Sequence, residues 1–77
     1  MEEIIRVLNS VKPGVDFSSS QDFIKEGLLT SLEIVMLVGK LNDAFDIEIG
    51  IADLRPENFK NAESICRMVE NLRSKNV

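Results

Sequence analysis

Between Leu32 and Phe45, six apolar residues (Ile34, Leu37, Val38, Leu41, Ala44 and Phe45) return at i, i+3, i+4 and i+7, the period of a helix that buries one face. No other stretch of the 77 residues is so regular, so a helix over 32–45 is expected to be the central element on which the rest packs. A chain this short buries only about 60% of the surface its unfolded form exposes, which leaves room for one core and none for a deep catalytic cleft. The opposite flank of the same helix carries Leu32, Val35, Met36 and Gly39 beside Lys40, Asn42 and Asp43. That is more apolar than a solvated face requires.

The flanking segments support an all-α reading. Ile4, Ile5, Leu8 and Val11 recur at helical spacing, and Lys12-Pro13-Gly14 stops them, placing helix one at about 2–11. Gly14 to Leu29 has no sustained period, yet Val15, Phe17, Phe23, Ile24, Leu28 and Leu29 are too apolar for a solvated linker, so this long loop is expected to pack on the bundle. Ile47, Ile49 and Ile51 alternate with Glu48 and Gly50, which taken locally is a strand signal. A lone strand has no partner in this chain, and the segment reads better as an extended connector that tucks isoleucines under the helices. Pro56-Glu57 marks a short third helix over about 56–60. Asn61 is the candidate N-cap of a last helix whose inward stripe is Ala62, Ile65, Met68, Val69 and Leu72, with Arg67, Arg73 and Lys75 adding positive charge late. The expectation is a single domain over 1–77, a small four-helix bundle with a long loop between helices one and two.

Composition removes several classes of function. The net charge is −4, and residues 33–57 alone hold that balance, six acids (Glu33, Asp43, Asp46, Glu48, Asp53, Glu57) against Lys40 and Arg55. Nucleic acid needs a concentrated basic face and is not an expected partner. There is no histidine, and Cys66 is the single cysteine, so neither a zinc site, an internal disulfide nor an obvious general base is available. Cys66 reads as a small packing residue. No apolar run approaches the length of a membrane span, and Met1-Glu2-Glu3 is acidic where a secretory signal is basic, so the chain is expected to be cytoplasmic, not an enzyme and without metal.

Chemistry concentrates at the start of helix two. Thr30 and Glu33 fit the Ser/Thr-x-x-Glu capping box, in which the threonine hydroxyl turns back onto the amide of residue 33. Ser31 then stands at the first helical position with its own hydroxyl free, where unpaired amides and the helix dipole favour an anion such as a phosphate. On local physics alone the plainer reading prevails, since a serine at a helix start is usually a cap or an ordinary surface residue.

Gly-Leu-Leu-Thr-Ser-Leu-Glu-Ile-Val (27–35), followed by Leu-Asn-Asp-Ala-Phe-Asp-Ile-Glu-Ile (41–49) and Pro56-Glu57-Asn58-Phe59, resembles the acyl carrier protein family over nearly the whole chain. The resemblance implies an acyl-carrier-type bundle in which Ser31 accepts 4′-phosphopantetheine, derived from coenzyme A, from a separate phosphopantetheinyl transferase. Cargo, a fatty acyl, polyketide, aminoacyl or D-alanyl group, would ride as a thioester on the arm, with fatty acid biosynthesis or other lipid metabolism as one setting, and the monomeric protein would catalyse nothing itself. Leu32, Val35, Met36, Gly39, Asn42 and Asp43 would form the surface read by enzymes that load and use the acyl group, which accounts for the apolar flank. One departure stands out: the family usually has aspartate immediately before the serine, and here Thr30 keeps the cap while giving up the charge. The transferase is the partner expected to register that difference. The alternative is an interaction module of the same fold that never bears the arm.

Overall fold

The computed structural model describes residues 2–19 and 21–75, the last by its backbone. Met1 of the acidic N-terminus, residue 20 of the long loop and the Lys75 side chain lie outside the described residues. Among the described residues three helices form: α1 (Glu2–Val11), α2 (Ser31–Phe45) and α3 (Ala62–Lys75). Between α2 and α3 stand two 3-10 turns, Ile51–Asp53 and Pro56–Asn58.

The core is drawn from every segment. Ile4 and Leu8 of α1, Leu37 and Leu41 of α2, and Ala62, Ile65, Met68 and Val69 of α3 are buried together with Phe17, Phe23 and Leu29 of the long loop. The loop is therefore part of the scaffold. Phe17 and Phe23 meet edge to face with ring centroids 5.1 Å apart, a favoured aromatic geometry. Phe23 N–H donates to the Lys60 carbonyl at 2.6 Å, which ties the loop to the entrance of α3. Gly14 (φ 86°) turns the chain out of α1, in a left-handed conformation that a side chain would strain.

α2 ends where Asp46 takes a left-handed conformation (φ 53°) and its N–H donates to the Asn42 carbonyl. The Asn42 side-chain oxygen then accepts the Ile49 N–H at 3.0 Å, so one residue closes the helix and aims the connector. At the same end, the Arg73 guanidinium lies 5.9 Å from the centre of the Phe45 ring. Asn61 caps α3 by accepting the Ser64 N–H at 2.8 Å.

Four details differ from the sequence expectation. The short third helix is a 3-10 turn over Pro56–Asn58, preceded by a second such turn, and Asn58 Nδ2 donates to the Asp53 carbonyl at 2.8 Å to join them. Ile47 and Ile49 are buried, but the alternation breaks as the first turn begins and Ile51 is 90% exposed. Ala44 is exposed because the buried arc of α2 turns toward Ile34, Val38 and Phe45 and leaves residue 44 on its outer edge. Ile24 stands at the surface, for a reason that becomes plain at the start of α2.

Leu41 is fully buried, so Leu41→Ala is expected to cost about 2–5 kcal/mol through the cavity left behind. Gly39 lies exposed in the middle of α2, and a methyl there meets nothing within 4 Å. Gly39→Ala is expected to stabilise the protein by about 0.5–1 kcal/mol, since alanine loses less backbone freedom in a helix. Chemical denaturation followed by circular dichroism reads both; a destabilised Gly39→Ala contradicts this account of α2.

Candidate functional site

Thr30 is the N-cap of α2, in extended backbone (φ −88°, ψ 171°). Its hydroxyl accepts the Glu33 N–H at 3.4 Å, and its own N–H donates to Glu33 Oε1 at 2.9 Å, closing the capping box in both directions. Of the first-turn amides, the box occupies that of Glu33 and leaves those of Ser31 and Leu32 pointing out of the helix start. Ser31, the first residue of α2, is exposed.

Beside it opens a pocket of about 360 Å³, lined by Ile24, Ser31, Ile34, Val35, Val38, Leu54, Arg55, Pro56 and Phe59. The serine is the one hydroxyl in a lining that is otherwise apolar except for Arg55. This is why Ile24 is not sealed in the core. A volume in this range suits a small organic group. Sequence reading found Ser31 and Val35 and set the short third helix beside helix two as joint docking surface, but did not find that Leu54 to Phe59 closes a pocket next to Ser31.

The residues of the expected contact surface divide. Leu32 (70% exposed) and Val35 (66%) are open, and Met36, Gly39 and Asp43 are exposed as well. Asn42 is half-buried, and its side-chain oxygen is engaged by the connector. Ile51 and Leu54 extend the exposed apolar surface beyond α2. Among the described residues there is no cluster of side chains able to hold a metal, and no helix is long and apolar enough to cross a membrane.

Residues 1–69 match the family described as "Phosphopantetheine attachment site" (PP-binding). The chain belongs to this family of phosphopantetheine-binding carrier proteins. The carrier is also similar to curated proteins: 27% identical to the D-alanyl carrier protein of Lactococcus lactis subsp. lactis, over 97% of this chain and 98% of the relative. It is 29% identical to that of Leuconostoc citreum, over 92% of each. Membership means a carrier, not an enzyme, one that works with a phosphopantetheinyl transferase and loading enzymes. The site fits the group. A phosphodiester at the start of α2 would meet two free amides and the positive end of the helix, and a chain attached to it would have an apolar pocket alongside.

Electrostatics at the cap set a pH dependence. The Thr30 backbone N–H donating to the Glu33 carboxylate, with the Thr30 hydroxyl and Lys12 pulling the same way against desolvation, holds its pKa below the ordinary 4.5. A folded-state pKa below the unfolded one contributes stability that is present above 4.5 and is lost as pH falls through the lowered folded value. Acid is therefore expected to loosen the start of α2, and Glu33→Gln to flatten that acid limb. Melting temperature against pH, compared for wild type and variant, checks it; identical slopes below pH 4.5 would remove Glu33 from the account.

Proposed function

We propose that Ser31 is the attachment point of the phosphopantetheine arm and that the chain, a single cytoplasmic carrier domain acting as a monomer, holds acyl groups for separate enzymes. The observation that carries this reading is the exposed hydroxyl of Ser31, left free by the Thr30 cap, on the rim of an apolar pocket. When attached, the arm supplies a terminal thiol on which cargo rides as a thioester. The chain's own residues then have three tasks. Thr30 and Glu33 hold the helix start, the amides of Ser31 and Leu32 face the phosphate, and Ile34, Val38, Leu54 and Phe59 shelter apolar cargo from water. Leu32, Val35, Met36, Gly39, Asn42 and Asp43 on α2 form the docking face, with Asn42 shaping the end of that face through the connector it holds. A cytoplasmic site follows from the need to meet coenzyme A.

The pocket favours an aliphatic acyl group, as in fatty acid or other lipid metabolism. The D-alanyl carriers among the relatives favour a second reading, in which the cargo is an aminoacyl group such as D-alanine.

Incubation with coenzyme A and a broad-specificity transferase is expected to add one phosphopantetheine to the wild type and none to Ser31→Ala, read by intact mass. A wild type that stays unmodified would instead mark an interaction module that never bears the arm. Intact mass of the protein purified from its own cell distinguishes the cargoes: a fatty acyl increment supports the first reading, an alanyl increment the second. Ser31→Ala is expected to melt close to wild type, because the serine caps nothing.

A further inference from the structure

Lys12 follows the last residue of α1, and its backbone N–H still donates to the Leu8 carbonyl at 3.0 Å, so its side chain starts from a fixed point. The ammonium leaves α1 and reaches both sides of Ser31. It donates to the Leu28 carbonyl at 3.0 Å and lies 3.6 Å from Glu33 Oε1. That same Glu33 oxygen accepts the Thr30 N–H at 2.9 Å. One cation therefore holds the loop before the serine and the capping box around it. The Lys12 side chain is 34% exposed and that of Glu33 20%. Ion pairs this open to solvent add little to global stability, so the effect of Lys12 is local, on where the Leu28–Glu33 segment stands.

We propose that Lys12 is a positioning residue for the modification of Ser31: by tying Leu28 and Glu33 to the end of α1, it presents the serine hydroxyl to the transferase in one place. The inference rests on Ser31 being the attachment point. In that transfer a bond forms between Ser31 Oγ and phosphorus as the pyrophosphate bond of coenzyme A breaks. Adenosine 3′,5′-bisphosphate leaves with the bonding electrons, and the hydroxyl proton passes to a base of the transferase. A displaced oxygen attacks off the line of the leaving group, and group transfer slows steeply with such misplacement.

Lys12→Met keeps the aliphatic stem and removes the ammonium. With coenzyme A and a broad-specificity transferase, it is expected to acquire the arm roughly three- to tenfold more slowly than wild type, with its melting temperature within a few degrees. Amide hydrogen exchange should quicken at residues 28–33 and not in α3. Lys12→Arg, which restores a donor cation, should recover the rate to within about twofold. In a Glu33→Gln background Lys12→Met should slow the reaction less, because the two residues share one interaction. Arg73→Met, in α3 where it packs on Phe45 at the far end of α2, is the control for general destabilisation and should be modified like wild type. Wild-type rate and exchange in Lys12→Met overturn the inference, as does equal slowing in Arg73→Met. Should Lys12→Met fail to fold, Glu33→Gln carries the same test: slowed attachment with local exchange supports the clamp, and wild-type behaviour overturns it. A wild type that never acquires the arm, or acquires it on another side chain, sinks the Ser31 reading itself, a result distinct from a Lys12→Met that matches a modified wild type.

Discussion

The arrangement at the start of α2 depends on Thr30 committing its hydroxyl to the Glu33 amide. A helix start presents several unpaired N–H groups, and the nearest hydroxyl is ordinarily drawn onto them. With Thr30 filling that role, and Glu33 returning the bond to the Thr30 N–H, the neighbouring serine has no structural duty. It stays at the surface with its oxygen free and with two amides of the first turn still unpaired beside it. A threonine fills the same capping place as an aspartate, since its oxygen accepts the Glu33 N–H, but without the charge that favours the helix start. The nearby Glu33 carboxylate, its pKa lowered by the Thr30 N–H, is engaged by the cap and by Lys12.

α2 works because its two faces answer to different partners. Leu37 and Leu41 point into a core completed by α1, α3 and the long loop, and they fix the helix in place. Leu32, Val35 and Met36 face outward, an arrangement that a folding argument alone would disfavour, since exposed apolar side chains gain nothing from burial. Their exposure is intelligible in a carrier that must be read transiently by several proteins. Val35 belongs to both worlds, exposed on one side and lining the pocket on the other.

The helices, the capping box, the Asn61 cap and the packed character of the long loop were legible in the sequence because each rests on local periodicity or a short capping pattern. The regions that resisted were those decided by tertiary contact. Whether Pro56 to Lys60 made a full helix or a 3-10 turn depended on Phe59 being drawn into the core and on Asn58 reaching back to Asp53. The exposure of Ile51 and Ala44 followed from where the alternation and the buried arc stop, which neighbours set and spacing does not. The pocket brings Ile24 and Leu54 beside Ser31, residues far apart in the chain with no shared motif. The Lys12 bonds to Leu28 and Glu33 are of the same kind, since nothing in Lys12-Pro13-Gly14 beyond a helix stop announces them.

Pocket chemistry bears differently on the two cargoes. The lining of the cavity beside Ser31 is hydrocarbon apart from the serine and Arg55, and Arg55 is a cation. An aliphatic chain entering it leaves water without stranding any polar group. An alanyl thioester carries an ammonium, which would find there no carboxylate to pair with and a like charge at the rim, at the cost that attends an uncompensated charge in an apolar site. On the proposed attachment at Ser31, an aminoacyl cargo would therefore stay outside, in solvent, with the arm extended and the pocket unused. On that proposal the same fold would shelter one class of cargo and tether the other in the open, and the deciding residues would be those that line the cavity.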